Sequence, residues 1–248
     1  MFVIAHRGAN KFAPQNTIEA FVKAADMGAD GVETDVRITK DGQLVLCHNT
    51  TVNKTSNGRG KVMNLYFGDI RDMDFGSWFG RKFSNTPIPT LDDFLEVMKS
   101  KNVSILDIEL KPVTHTDLSF VPEVVYKVCS HGLIDRLLIS SFDKRILSKA
   151  KAIDSRVRTG FLYPFFGEAV RMKFVSPIGM AAKSGFDFIL PHCSYINEGI
   201  VKKAHKAGLK IAPWTVNDIS LIDKLCAWGA DGVITDYPDI MKNKIESI

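Results

Sequence analysis

Glu33-Thr34-Asp35, then Lys40-Asp41-Gly42, then Cys47-His48 put two carboxylates and an imidazole on one short stretch of chain. Glu33 and Asp35 are two apart, so in a strand both project from the same face. Asp-Gly between two apolar-rich runs is a strong hairpin signal, and a two-residue Asp41-Gly42 loop places Asp35 opposite His48. A slip of one residue would send His48 to the other face, so the turn chemistry controls whether acid and imidazole meet.

Glu109 closes another β-rich run, with Lys111 two residues on. Three carboxylates converging in a low-dielectric site repel one another unless a cation lies between them. Oxygen-only ligands favour a hard ion, so Glu33, Asp35 and Glu109 are candidate ligands for one divalent cation, Mg²⁺ or Ca²⁺. A salt-bridge network in which Lys111 and Arg7 neutralise the acids is the other reading, and the two are compatible. His6 and His48 flank this cluster as a candidate general acid and base pair. Arg7 offers a planar fork and Lys111 a point charge, both suited to phosphate oxygens. His192 ends a further run within reach of a substrate, and Trp214 supplies either an apolar wall or ordinary core packing. Phosphoryl transfer is the chemistry these residue types share.

What must position them is an alternation. Eight short β-rich runs, at residues 2–6, 31–36, 103–111, 137–142, 158–163, 186–192, 209–216 and 232–236, are separated by helical patterns such as 17–27, 91–101, 144–152 and 219–228. Eight strands apolar on both faces predict the α/β class, as a (β/α)₈ TIM barrel of one domain over residues 1–248, with functional residues at the strands' C-terminal ends. One unit recurs, Gly28-Ala29-Asp30-Gly31 and Gly229-Ala230-Asp231-Gly232. In the second copy Ile234 stands where Glu33 stands in the first, and Asp236 matches Asp35 as a candidate cap for the helix near Pro238. Residues 50 to 90 break the rhythm after strand two. Tyr66, Phe67, Phe75, Trp78, Phe79 and Phe83 there argue for a small ordered insertion near the barrel mouth.

The 248 residues carry a net charge of +4 without a basic block, which makes nucleic acid a poor partner and a small anionic substrate a fair one. Cys47, Cys129, Cys193 and Cys226 show no CxxC spacing and read as reduced thiols. With no signal-length apolar core and no membrane-spanning run, a cytoplasmic protein without stable membrane insertion is expected. His115, His131 and His205 fall in loop or helix contexts and are expected at the surface. Nothing in the sequence sets an oligomeric state.

His6-Arg7-Gly8, Ala13-Pro14-Gln15-Asn16-Thr17, Glu33-Thr34-Asp35, the Lys40-Asp41-Gly42 hairpin to His48, Thr55-Ser56-Asn57-Gly58, Pro89-Thr90-Leu91, Glu109-Leu110-Lys111, Trp214-Thr215-Val216-Asn217 and the closing Gly232-Val233-Ile234-Thr235-Asp236 together resemble the glycerophosphodiester phosphodiesterase family over nearly the whole chain. The resemblance implies a (β/α)₈ barrel hydrolysing glycerophosphodiesters to sn-glycerol 3-phosphate and an alcohol. It implies His6 and His48 as acid/base pair, Glu33, Asp35 and Glu109 as metal ligands, and Arg7 and Lys111 as phosphate contacts. Two positions depart: Gln15 stands where the family has Glu, and Asn49 follows His48 where it has Asp, each removing a negative charge. Two alternatives accompany this reading. One is a phosphodiesterase directed at lysophospholipids, motivated by the insertion's aromatics. The other is a catalytically silent barrel that binds glycerophosphodiesters, motivated by Gln15 and Asn49.

Overall fold

The computed structural model describes residues 1–112, 117–163 and 176–248; His115 lies outside them. Among the described residues the strands are β1 (Phe2–Ala5), β2 (Gly31–Ile38), β3 (Leu44–Leu46), β4 (Ile105–Leu110), β5 (Leu137–Ser141), β6 (Arg158–Tyr163), β7 (Phe188–Pro191), β8 (Lys210–Ile211) and β9 (Gly232–Thr235). The helices are α1 (Ile18–Asp26), α2 (Phe67–Arg71), α3 (Leu91–Lys99), α4 (Phe120–Ser130), α5 (Lys144–Ile153), α6 (Pro177–Lys183), α7 (Glu198–Lys206), α8 (Ser220–Trp228) and α9 (Pro238–Glu246). Eight strands run parallel in the order β8-β7-β6-β5-β4-β2-β1-β9, and β3 adds to β2 antiparallel. Across the seam between β8 and β9, Asp231 N donates to Ile211 O, Ile234 N to Pro213 O and Val216 N to Ile234 O. The expected (β/α)₈ barrel is therefore present and nearly closed.

Period-two alternation sorts the strands into two apolar layers. Ile4, Ile105, Leu138, Leu162, Phe188, Leu190 and Ile234 fill the barrel interior. Their neighbours, such as Val3, Val32, Leu106, Ile139 and Val233, pack outward into the helix-facing core. Two residues beyond the inner apolar layer, the same inward-pointing rows reach His6, Asp107, Ser140 and Asp236. The chemistry thus sits on top of a dry plug of aliphatic side chains. α1 and α3 are anchored beside this end: the Thr17 hydroxyl accepts from Ala20 N, and Thr90 with Asp93 forms a capping box.

The hairpin register departs from expectation. β2 and β3 pair Val36 with Leu46, Arg37 with Val45 and Ile38 with Leu44, and Cys47 N donates to Asp35 O at 2.9 Å. Asp35 therefore lies opposite Cys47, not His48. The loop holds three residues, Lys40, Asp41 and Gly42, closed by Thr39 N donating to Gln43 O. Gly42 takes φ +88°, the left-handed position such loops require. The Thr39 hydroxyl favours this shape, donating to Asp41 Oδ1 at 2.6 Å and accepting from Gln43 N at 2.9 Å.

Residues 50–90 form an ordered excursion with α2 and a small core of Val45, Cys47, Val52, Val62, Ile70, Phe75 and Ile88. Its aromatics divide: Phe75 is buried, Trp78, Phe79 and Phe83 pack edge to face, and Tyr66 is half exposed. The four cysteines are free. No helix among the described residues is long and apolar enough to cross a membrane.

Candidate active site

Glu33 and Asp35 enter the mouth from β2 and Glu109 from β4, where the parallel register sets Asp35 beside Glu109. One carboxylate oxygen from each of the three lies within 4.8 Å of the others. Lys111 Nζ reaches Asp35 Oδ1 at 2.9 Å and also pairs with Glu109. Arg7 Nε lies 3.4 Å from Asp35 Oδ2, and Arg7 backbone N donates to Glu33 Oε2 at 2.8 Å. The sequence's two readings, metal ligands and ion-pair network, coexist in one cluster.

Electrostatics shows that two resident cations are too few. Burial and the repulsion of Asp35 and Glu109 raise the Glu33 carboxyl well above the usual range. Burial pushes Glu109 up to about 7 despite Lys111. Burial also opposes ionisation of Asp35, but Lys111 and Arg7 outweigh it and hold that acid below its usual range. One carboxylate is thus fully compensated and two are not. Three converging oxygen ligands short of positive charge fit a hard divalent ion, which Glu33, Asp35 and Glu109 would hold.

Asn16, unremarked in the sequence apart from its place in the Pro14-Gln15-Asn16-Thr17 segment, orders this cluster. Its Nδ2 donates to Asp35 Oδ2 at 2.9 Å, and its Oδ1 accepts from Thr34 Oγ1 at 2.9 Å and Asp35 N at 3.3 Å. Asn16 and Arg7 adopt φ of 58° and 56°, a left-handed conformation that costs non-glycine residues about 1–3 kcal/mol and gathers at functional sites.

His6 and His48 are both held through Nδ1, which leaves each Nε2 for a reacting group. His6 Nδ1 meets Asp236 Oδ1 at 2.7 Å. Asp236 is gripped in turn by Asn10 Nδ2 at 2.6 Å and Asn217 Nδ2 at 2.8 Å. Its expected capping role is corrected: Tyr237 is the N-cap of α9 and offers no side-chain bond, while Asp236 supports a histidine. His48 Nδ1 lies 3.1 Å from Asn49 Oδ1, and Arg37 Nε and Nη2 donate to the His48 carbonyl oxygen at 3.0 and 2.6 Å. Burial lowers the His48 imidazole to about 4, with the charge of nearby Asp35 pulling the other way. His48 stays close to Asp35 although the register separates them, because the chain leaves strand geometry after Leu46.

The remaining predicted residues divide. Gln15 accepts from Arg7 Nη1 at 2.6 Å, so this departure keeps a contact to the cluster. Trp214 lines the same cavity as His6, Glu33 and Glu109, and its indole N–H donates to Leu190 O at 2.8 Å. His192 and Trp214 pack edge to face with ring centres 5.1 Å apart, and His192 is not among the residues lining the cavity of Glu33 and Glu109. Asp107, missed in the sequence, is fully buried below Glu109 and is pushed up to about 7 by burial. His205 pairs with Asp231 at 3.0 Å, away from the mouth.

Comparison with known proteins gives the family of the chain and the fold it shares. Residues 6–240 match the model of the Glycerophosphoryl diester phosphodiesterase family. A glycerophosphodiester phosphodiesterase from Caldanaerobacter subterraneus subsp. tengcongensis is 34% identical over 243 residues, covering 98% of this chain and 97% of its own. A putative glycerophosphodiester phosphodiesterase from Bacillus subtilis is 32% identical over 242 residues, covering 97% and 96%. The crystal structure of an Oleispira antarctica phosphodiesterase in complex with the product sn-glycerol-3-phosphate superposes with a TM-score of 0.89 at 29% identity, covering 99% of this chain and 97% of that one.

Proposed function

Since the chain belongs to the glycerophosphoryl diester phosphodiesterase family, whose members hydrolyse glycerophosphodiesters, we propose that it cleaves such diesters to sn-glycerol 3-phosphate and an alcohol, with one divalent cation at Glu33, Asp35 and Glu109 and with His6 and His48 as acid and base. The observation that carries this reading is the convergence of three carboxylates, two buried and Glu109 partly so, within 4.8 Å of one another, beside two histidines fixed through Nδ1. Bound there, a hard divalent cation would draw charge from the phosphoryl oxygens. Arg7 and Lys111, already drawn to Asp35, supply fixed positive charge on either side of the same phosphoryl group.

The two histidines have unlike partners. Burial lowers both imidazoles below their usual value; at His6 Nδ1 a carboxylate, Asp236, opposes that shift and stabilises the imidazolium, whereas His48 Nδ1 has only the neutral amide of Asn49. His48 Nε2 therefore takes the proton of the attacking hydroxyl, and His6 Nε2 gives one to the leaving alkoxide as the bond from phosphorus to the alcohol oxygen breaks. The nucleophile is water or the glycerol 2-hydroxyl, and a cyclic glycerophosphate trapped by rapid quench selects the latter.

Release of glycerol 3-phosphate from glycerophosphocholine tests the reading directly. His6→Ala and His48→Ala should each lower kcat by about 10²–10⁴-fold with thermal unfolding nearly unchanged. Full activity in either variant removes that histidine from the chemistry, and stoichiometric binding without product release would favour a silent binding barrel.

A further inference from the structure

Two clefts are lined by residues that contact the carboxylate cluster, Arg7 in one and Lys111 in the other, and their linings differ. They lie on opposite flanks of β2, which pairs with β1 on one edge and β4 on the other. On the β1 side the cleft is lined by His6, Arg7, Lys11, Trp78, Phe79 and Asp236, an aromatic wall in which the Asp236 carboxylate lies between His6 and Lys11. On the β4 side it is lined by Arg37, Thr50, Lys61, Met63 and Lys111, with no acidic side chain among the described residues of its lining.

The β4-side cleft meets the chemistry at Lys111, and its far wall carries the exposed Lys61 on hydrogen-bonded backbone. Lys111 forms part of its wall while pairing with Asp35 and Glu109. Arg37 commits Nε and Nη2 to the His48 carbonyl oxygen and keeps Nη1 for another acceptor. Lys61 rides on the chain leaving His48. It bridges antiparallel to Thr51, while Val52 N donates to Gly60 O and Val62 N to Thr50 O, both at 3.0 Å. The ammonium is thus carried on backbone tied to the segment that presents the histidine. The cleft holds about 270 Å³. At ~30 Å³ per water that is room for roughly nine waters, or for a small charged head group.

Every substrate of the proposed reaction carries the same uncharged glycerol arm, so only the alcohol arm can bring an additional charge. Of these cations Lys111 already pairs with Asp35 and Glu109, while no ion pair joins Arg37 or Lys61 to an acid among the described residues, so an anion on the alcohol can meet them with charge-assisted hydrogen bonds that a neutral or ammonium-bearing alcohol cannot make. We infer that the cleft between Arg37, Lys61 and Lys111 is a subsite for the leaving alcohol and selects alcohols that carry a second anionic group, a carboxylate or a phosphate. This assignment rests on the phosphodiesterase reading above and adds a substrate class to it.

Two matched pairs test it with the metal-loaded full chain. Glycerophosphoserine differs from glycerophosphoethanolamine by one carboxylate, and glycerophosphoinositol 4-phosphate differs from glycerophosphoinositol by one phosphate. The anionic member of each pair should show about 5–10-fold higher kcat/KM at low salt, falling as ionic strength rises. Lys61→Gln should bring the ratio close to one and Lys61→Glu should invert it, whereas Lys82→Ala, exposed on the insertion outside the cleft, should keep it. Preference within a single pair narrows the class to that anion. Equal kcat/KM within both pairs, or a ratio that survives Lys61→Glu, overturns the subsite while leaving the phosphodiesterase reading intact. No turnover of any of the four diesters by folded protein overturns that reading, and the subsite with it.

Discussion

His6 Nδ1 and Asp236 Oδ1 stand 2.7 Å apart, although 230 residues of chain separate them. The pair exists because β1 and β9 lie side by side in register, Ile4 opposite Ile234, so that two residues further along the same inward rows His6 meets Asp236. A carboxylate in this position fixes the ring, keeps the proton on Nδ1 and stabilises the imidazolium.

Asp236→Asn preserves the shape of that contact and removes its charge. The expected result is a fall in kcat of about 10²-fold, with KM little changed. The His6 imidazolium loses its counter-charge, its pKa drops, and the alkaline limb of the pH profile moves to lower pH. An unchanged alkaline limb would mean that Asp236 only holds the ring in place.

Asn49→Asp runs the opposite experiment on the second histidine. His48 is held down near 4 by burial. A new carboxylate beside Nδ1 stabilises the imidazolium, so the pKa rises and the acid limb of kcat/KM shifts to higher pH by about one unit. An acid limb that stays in place would count against His48 as the base.

Cation binding should be visible without any assay of turnover. The charge deficit at Glu33 and Glu109 predicts that Mg²⁺ or Ca²⁺ at 100 times Kd stabilises the EDTA-treated protein by about 2.7 kcal/mol. For a chain of this size that is a rise in Tm of about 5–10 °C. Glu33→Gln and Glu109→Gln should each lose most of that rise. A wild-type Tm indifferent to both ions would return the three acids to a salt-bridge network with Lys111 and Arg7.

Asp107 offers a test of stability alone. Its folded pKa is pushed up to about 7 by burial, above the ordinary aspartate value of 3.8. The raised value means that the folded state resists ionisation of this group. Its stability penalty is absent below about pH 4, grows as pH rises toward 7 and is complete above that. In metal-free protein, Asp107→Asn should therefore raise stability at pH 8 by about 2–4 kcal/mol, and the advantage should vanish at pH 4. Urea unfolding at the two pH values measures both ends.

The alternation of apolar runs and helical patterns was enough to read the barrel, since a strand that packs on both faces declares itself in sequence. Motif chemistry was likewise enough to single out His6, Glu33, Asp35, His48, Glu109 and Lys111, because carboxylates and imidazoles at strand ends are locally visible. The hairpin register was not, because a choice between two and three loop residues turned on the Thr39 hydroxyl and the left-handed Gly42. Asn16 was passed over since its partners, Thr34 and Asp35, are reached only when the loop after β1 folds over β2. Asp236 looked like a helix cap because its partner His6 is reached only when β1 lies against β9. What the sequence by itself determined was the identity of the reactive groups and the period that turns them inward. What only the tertiary structure decided was which of them touch, because closing a barrel brings the first strand against the last, and no local pattern encodes a contact between the two ends of the chain.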